Sequence, residues 1–143
     1  MPQESNAKTF EGIDDVKKAL SIHVERMSGK EVVGFYAHAE NITPEVEHLF
    51  EEYYGDEFKK RGITLRGIAP DHESLKSFRA QDAEYGRTMK IVPFEKYSSS
   101  LSIEIGDTYV FFFSFKEPQI IMIDDEETAR TMRQIFELTW SSS

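Results

Sequence analysis

The stretch of residues 101–140 constrains the fold more than any other part of the chain. Two short runs within it, residues 110–114 and 120–123, consist almost entirely of apolar side chains at consecutive positions. A strand that packs against a core on one face alternates apolar and polar residues, whereas a strand that is apolar throughout is covered on both faces. The sequence therefore predicts that both runs are strands at the centre of a sheet with helices on its two sides.

The segment before the first run predicts how that run is paired. Residues 101–105 alternate apolar with polar side chains, which is typical of a half-buried strand. Gly106 and Asp107 come next and predict a two-residue hairpin turn, because glycine readily adopts the positive φ that such turns require. This turn would place Ile103 opposite Val110 in an antiparallel pair.

The rest of the chain alternates helical and strand patterns. Helices are predicted over residues 12–27, after the N-cap Thr43 and after Asp71, with strands over 31–39, 63–69 and 88–92 and a last helix capped by Asp124 and ending near Trp140. Alternation followed by hairpins predicts an α/β fold, namely a three-layer sandwich with a mixed β-sheet and helices on both faces.

Length and composition predict a single soluble domain. The 143 residues suit one core, which we expect to be ordered from about residue 10 to residue 140, with flexible ends at 1–9 and 141–143. No run approaches the roughly 18 apolar residues of a membrane span. The absence of cysteine suits a cytoplasmic location. A net charge of −9 argues against a surface that binds nucleic-acid phosphates.

Common motifs for cofactors and metals are absent from the sequence. There is no GxGxxG, P-loop or GxSxG pattern. His38 and Glu40 have the His-x-Glu spacing of zinc deaminases, but the cysteines of that motif are missing. The four histidines show no ligand spacing along the chain. The sequence therefore predicts neither a metal site nor a cofactor.

Several longer segments resemble the C-terminal effector domain of TrmB-type transcriptional regulators. The segments RGITLRGIAPD, GRTMKIVP, IEIGDTYVFFFSFKEP and TARTMRQIFELTW carry the resemblance, which extends from about Phe10 to Trp140. The resemblance implies a phospholipase D-like fold and the sensing of small molecules such as sugars. Family members attach this domain to a DNA-binding winged helix. No winged helix precedes Phe10, so we expect no direct nucleic-acid binding by this chain.

The phospholipase D comparison also implies that the catalytic motif is lost. That motif reads His-x-Lys-x4-Asp, and Asp107 resembles its aspartate. The lysine position is then Ser102 and the histidine position is Ser100. Serine supplies neither the nucleophilic imidazole nor the cation that holds the phosphate. We therefore expect no enzymatic activity and no catalytic residues.

A candidate ligand site follows from where ligands bind in α/β folds. They gather beyond the carboxyl ends of the strands, and His38, Asp71 and Lys116 each follow a predicted strand. Arg87, which precedes its strand, and Glu104, on the face of the aromatic strand residues, complete the set. Together they would suit a hydroxyl-rich ligand such as a sugar if at least three of them approach one pocket. The alternative is that all five are ordinary loop, cap and surface residues.

Three functions remain open on the sequence. The first is a non-catalytic ligand-sensing effector domain, which the resemblance favours. The second is a protein-interaction or dimerisation module, in which apolar surface packs against a partner such as a second copy. The third is a phospholipase D-like hydrolase with a degenerate site.

Overall fold

The computed structural model of the chain describes residues 6–40 and 42–142, so the predicted flexibility of residues 1–5 and 143 lies outside the described part. The strands are β1 (Ala7–Glu11), β2 (Glu31–Phe35), β3 (Thr64–Pro70), β4 (Arg87–Val92), β5 (Leu101–Ile105), β6 (Val110–Ser114) and β7 (Gln119–Ile123). The helices are α1 (Gly12–Arg26), α2 (Pro44–Phe50), a π-helix (Glu51–Glu57), α3 (Phe58–Arg61), a 3-10 turn (Glu73–Leu75), α4 (Lys76–Arg79) and α5 (Glu126–Ser142).

The seven strands form one mixed sheet in the order β1-β7-β6-β5-β2-β3-β4. β2, β3 and β4 are parallel, while every other neighbouring pair is antiparallel. This arrangement confirms the predicted α/β class and the mixed sheet. The two apolar runs lie on β6 and β7, and both are interior strands with a neighbour on each side.

Helices cover both faces of the sheet, as predicted. On one face, α1 and the helical segment of residues 44–61 pack over the buried rings of Tyr109, Phe111 and Phe113. On the other face, Phe136 of α5 packs with Val110 of β6 in a smaller cluster. β6 therefore contributes to a core on each side of the sheet, which is why its sequence is apolar at consecutive positions. No helix in residues 6–40 or 42–142 is long and apolar enough to cross a membrane.

The structure corrects the prediction of flexible ends for residues 7–9, and for residues 141 and 142, which belong to the last turn of α5. Residues 7–11 form β1, which pairs antiparallel with β7 at the edge of the sheet. Only Phe10 of this strand is partly buried. An edge strand is held by its backbone hydrogen bonds and often carries polar side chains, so the apolar pattern that reveals interior strands is missing here.

The structure also corrects the hairpin between β5 and β6. Ile103 pairs with Phe112, and Ile105 pairs with Val110. The turn is shifted by one residue along the chain, because the Gly106 N–H donates to the Tyr109 carbonyl at 2.9 Å and leaves Asp107 and Thr108 at the tip of the hairpin. Glycine is required there by close contact rather than by φ: a Cβ on Gly106 would lie 2.6 Å from the Tyr109 ring.

Three element boundaries differ from the predictions for local reasons. β2 ends at Phe35 rather than at residue 39. The helix predicted after Asp71 is only a 3-10 turn followed by one α-helical turn. The last helix is capped by Asp125, whose side chain accepts from the Thr128 N–H at 3.0 Å, while Asp124 is paired with Arg26.

Candidate ligand-binding cavity

A cavity of about 110 Å³ lies between the sheet and the helical segment of residues 44–61. Most of its lining is aromatic or aliphatic. The lining residues are Tyr36, Ala37, Ala39, Phe50, Tyr54, Leu65, Ala69, Leu75, Phe78, Arg79, Asp82, Arg87, Met89, Ser102, Glu104, Phe113 and Phe115. Arg79 is exposed and Asp82 is half-buried, so the cavity reaches the surface beside α4.

Glu104 is the buried polar residue at the centre of the hydrogen-bond network beside this cavity. It lies on β5 with a relative exposure of 2%. The Tyr54 hydroxyl donates to its Oε2 at 2.6 Å, and His23 Nε2 lies 2.8 Å from its Oε1. His23 Nδ1 is 2.5 Å from the Tyr109 hydroxyl. Both carboxyl oxygens are therefore satisfied, as burial of such a group requires.

A seven-residue π-helix positions the Tyr54 hydroxyl over Glu104. It continues directly from α2 and contains Tyr53, Tyr54 and Gly55, all of which are buried. Stretches of π-helix are rare and occur frequently at functional sites, because they turn side chains away from their α-helical directions. Gly55 allows close approach to the neighbouring loop, since a Cβ there would lie 3.3 Å from the Tyr85 ring.

The tyrosine hydroxyls around Glu104 are neutral donors at physiological pH. Burial raises the pKa of Tyr36, Tyr54 and Tyr109, and the nearby Glu104 carboxyl raises the pKa of all three further. The Tyr36 hydroxyl is buried and, within the described residues, has no hydrogen-bond partner. Its ring lies close to two glycines of the sheet: a Cβ on Gly67 would be 2.5 Å from the ring, and a Cβ on Gly34 would be 2.9 Å from the hydroxyl.

Arg87 and Asp82 provide the charged side of the cavity. Arg87 Nε donates to Asp82 Oδ1 at 2.9 Å, and its guanidinium also donates to the Phe78 carbonyl at 2.8 Å. Burial raises the pKa of Asp82, although the adjacent Arg87 acts to lower it. These two charged groups therefore already bind each other, and Arg87 also fixes the segment after α4.

The structure brings together two of the five predicted site residues. Arg87 and Glu104 line the cavity, but His38, Asp71 and Lys116 do not. The prediction of one pocket with at least three of them is therefore corrected. Asp71 lies 3.8 Å from Arg79 in an exposed ion pair. Lys116 is exposed in the turn between β6 and β7. His38 lies instead beside Glu40 and His72.

The remaining cavity residues were not identified from the sequence because they resemble core residues. Phe50, Tyr54 and Phe113 belong to apolar faces that the sequence assigns to packing, and that assignment is correct for most of their surface. The signal available in the sequence was Glu104, a carboxyl group on a buried aromatic face. Such a residue requires buried donors, and tyrosines from other elements supply them here.

Two of the three residues aligned with the phospholipase D motif have structural contacts. The Ser102 hydroxyl accepts from the Ala37 N–H at 2.9 Å. Asp107 lies 2.6 Å from Lys30, and Ser100 is exposed before β5. The Asp107 carboxyl is partly buried, which acts to raise its pKa, but the hydrogen bond from Lys30 prevails and holds its pKa below the usual value.

Comparison with solved structures supports the fold that the motifs predicted. TrmBL2, an archaeal chromatin protein whose structure shows a novel mode of DNA binding, is 14% identical with a TM-score of 0.61 over 99% of this chain and 55% of that chain. NucT from Helicobacter pylori is 14% identical with a TM-score of 0.60 over 95% of this chain and 96% of that chain. No protein-family model matches the chain, and no curated protein matches it. The fold therefore resembles those of TrmBL2 and NucT, and the chain spans about half of TrmBL2.

Proposed function

We propose that this domain is a non-catalytic, ligand-sensing module that binds a small molecule in the cavity beside Glu104. The observation that carries the proposal is the cavity itself. Protein interiors are close-packed, and unfilled volume larger than a few water molecules lowers stability. About 110 Å³ of space lined by six aromatic rings is therefore well suited to a ligand. The TrmB-like fold agrees with an effector role.

The lining determines the chemistry of the expected ligand. Most lining side chains are apolar, and the hydrogen-bonding groups of Glu104, Ser102 and Arg87 already have protein partners. Apart from the unpaired Tyr36 hydroxyl, a hydroxyl-rich sugar would find few free partners for its own groups, and an unpaired buried polar group is costly. An apolar cavity of about 150 Å³ in another protein binds benzene. We therefore expect a ring-sized apolar group, with any larger part of the ligand extending past Arg79.

The helical wall of the cavity provides a way for binding to be sensed. Phe50 ends α2 and Tyr54 lies in the π-helix, so a ligand between them and the sheet would contact both parts of one continuous helical segment. A ligand that prefers one arrangement of this segment would shift its population toward that arrangement. Sensing would then require no chemical step.

A non-catalytic role is supported by the state of three polar groups beside Glu104 on β5. His23 is fully buried and bonded on both ring nitrogens, and Tyr109 is equally buried. Ser102 is 2% exposed and accepts a backbone hydrogen bond. A nucleophile must reach both its substrate and a general base. None of these three groups has the exposure that such a reaction needs.

A thermal-shift screen of the full chain tests the proposal. One set of compounds contains small aromatic and apolar molecules, and a second contains sugars and other hydroxyl-rich metabolites. A compound that binds only the folded state raises the melting temperature as its concentration rises above Kd. Ala69→Leu adds volume within the cavity, while Ala83→Leu makes the same change at an exposed position.

The two variants separate binding in the cavity from binding elsewhere. We expect a hit from the first set to stabilise the original chain and Ala83→Leu but not Ala69→Leu, provided that Ala69→Leu melts cooperatively without ligand. A hit that stabilises Ala69→Leu equally would place the ligand elsewhere. No hit in either set would contradict the sensing role, and a hit only among sugars would contradict the proposed ligand chemistry.

A second candidate function is self-association through the α5 side of the sheet. α5 packs mainly on β2, β5 and β6. Ile121 of β7 is 39% exposed there, and Ile135 and Leu138 of α5 are 45% and 72% exposed. Light scattering after gel filtration tests this candidate: a dimer that dissociates in Leu138→Lys but not in Gln134→Lys would support it, and a monomer at all concentrations would contradict it.

We also propose that the residues of this chain do not bind DNA tightly. The net charge of −9 opposes contact with phosphates, which require clustered lysine and arginine. Fluorescence anisotropy with a labelled duplex at physiological salt tests this expectation. Saturable binding that weakens steeply as salt is added would contradict it.

A further inference from the structure

Three potential metal ligands converge at a place where the sequence predicted none. They are His38 and Glu40, in the loop after β2, and His72, in the loop after β3. One ligand atom from each side chain lies within 4.8 Å of the other two. Glu40 Oε2 is 3.8 Å from His38 Nδ1 and 3.9 Å from His72 Nε2. The cluster lies outside the set of residues that line the cavity.

The parallel pairing of β2 with β3 explains the convergence. Phe35, the last residue of β2, pairs with Ile68 near the end of β3. Both strands therefore end at the same edge of the sheet, and the loops that follow them meet. His38 and His72 are 34 positions apart in sequence, so no local spacing reveals that they are neighbours.

His38 has a buried ring nitrogen with no hydrogen bond. Its Nδ1 is shielded from solvent and has no hydrogen-bond partner in the part of the chain that the structure describes. The 3.8 Å to Glu40 is too long for a hydrogen bond. Buried polar atoms without a partner are uncommon in folded proteins, and ion binding is one explanation for them. The nitrogen faces the other two ligand atoms.

The surroundings of His72 are compatible with metal binding through Nε2. Its Nδ1 lies 2.8 Å from Ser74 Oγ, which also accepts from the Ala39 N–H at 2.8 Å. In the tautomer with a proton on Nδ1, that proton is donated to Ser74 Oγ, and the Nε2 lone pair is free for a metal. Metal-bound histidines are commonly oriented by such a bond from the second nitrogen. In the other tautomer Nδ1 accepts from the Ser74 N–H at 3.1 Å, which suits the metal-free state.

We propose that His38, Glu40 and His72 bind one divalent transition-metal ion, with zinc as the best fit. Two imidazoles and a carboxylate form a known zinc ligand set that leaves a fourth position for water. Zinc–ligand bonds of about 2.0–2.2 Å place tetrahedral ligand atoms roughly 3.3–3.6 Å apart. The two separations from Glu40 Oε2, 3.8 and 3.9 Å, are close to this range, and the two histidine ligand atoms lie within 4.8 Å of each other, so inward rotation of the side chains would complete the set.

The neighbours of the cluster would shield the ion and connect it to the cavity. The Phe94 ring centroid lies 5.6 Å from that of His38 and 5.1 Å from that of His72, so it covers one side of the histidine pair. Ala37 and Ala39, on either side of His38, line the cavity. A bound ion would therefore hold one cavity wall in place, although the metal site does not depend on a ligand being present there.

Metal titration of the full chain tests the proposal. After treatment with a chelator, the chain is titrated with Zn²⁺ by calorimetry and with Co²⁺ by visible absorption, where tetrahedral coordination gives intense d–d bands. We expect one ion per chain, a higher melting temperature with Zn²⁺, and a tetrahedral Co²⁺ spectrum. Absence of saturable binding of either ion would overturn the proposal.

Variants distinguish this site from adventitious binding to surface side chains. His38→Gln, Glu40→Gln and His72→Gln each remove one ligand, and His48→Gln changes an exposed histidine of α2 as the matched control. Ser74→Ala should weaken binding roughly 10- to 100-fold, because it removes only the partner that orients a ligand.

The ligand variants should lose more affinity than Ser74→Ala does, and His48→Gln should bind as the original chain does. Far-UV circular dichroism of each variant confirms that it is folded. Equal Zn²⁺ affinity in the ligand variants and in His48→Gln would show adventitious binding and overturn the assignment.

Discussion

Replacing Glu104 is the sharpest test of how the core beside the cavity is held together. Glu104→Ala removes both hydrogen bonds of the carboxyl group and leaves His23 Nε2 and the Tyr54 hydroxyl without their partner. Each buried group left unpaired costs about 1–3 kcal/mol, and breaking a buried pair typically costs about 3–5 kcal/mol. We therefore expect Glu104→Ala to lower the free energy of unfolding by about 3–5 kcal/mol.

Glu104→Gln should be tolerated better, because the amide keeps the shape and can satisfy both partners. Its oxygen can accept from the Tyr54 hydroxyl, and its NH₂ can donate to His23 Nε2. His23 must then carry its proton on Nδ1 and donate it to Tyr109, which lies 2.5 Å away. Both hydrogen bonds of His23 would then survive with donor and acceptor exchanged, and we expect the free energy of unfolding to fall by about 1 kcal/mol.

Urea unfolding followed by circular dichroism measures these differences, with the free energy extrapolated linearly to water. Tyr54→Phe removes one bond to Glu104, whereas the control Tyr53→Phe removes a 3.1 Å contact with Ser21 near the surface. We expect Tyr54→Phe to be the more costly of the two. An ordinary hydrogen bond contributes about 1 kcal/mol to stability. If Glu104→Ala lowered the free energy of unfolding by less than this, the reasoning would be refuted.

Three further outcomes follow from the fold. Phe111→Ala should lower the free energy of unfolding by about 3–5 kcal/mol in the same assay, because the ring is fully buried; a loss near zero would contradict the layer assignment. Thr43→Ala should cost about 1 kcal/mol, because the Thr43 side chain accepts from the Val46 N–H at 3.3 Å, and an unchanged stability would show that this cap is not formed. The pKa of Asp107 is lower in the folded state than its usual value of 3.8. Its contribution to the free energy of unfolding is therefore complete above pH 3.8 and is lost as the pH falls through the lower folded-state pKa. The stability of Asp107→Asn should therefore fall less between about pH 5 and pH 2 than that of the original chain, and parallel curves would contradict this.

The sequence predicted those features of the fold that leave a local pattern. The interior positions of β6 and β7 follow from unbroken apolar runs, and the Thr43 cap follows from the proline after it. The sequence did not predict β1 because this edge strand is held by backbone hydrogen bonds to β7. Such bonds do not depend on whether the side chains are polar or apolar, so they leave no pattern in the sequence. The hairpin register was wrong because the Tyr109 ring, rather than positive φ, requires Gly106.

The candidate sites were harder to predict because both depend on contacts between distant parts of the chain. The rule that ligands gather at strand ends selected His38, which lies just beyond the end of β2, but it did not identify His72 as its neighbour. Glu104 and Arg87 were selected for their polarity, and they line a cavity whose other walls are tyrosine and phenylalanine rings. Aromatic residues that line a cavity and those that fill a core have the same sequence pattern.

An NMR titration tests the central claim, that the cavity beside Glu104 binds a small molecule. The strongest hit from the thermal-shift screen is added stepwise to ¹⁵N-labelled protein, and the amide signals are followed to saturation. The account predicts saturable shifts at Ala39, Ala69 and Met89, which line the cavity, and little change at Ala129 of α5, which is buried on the opposite face of the sheet. Shifts confined to the α5 face, or the absence of saturable shifts at the cavity, would contradict the claim.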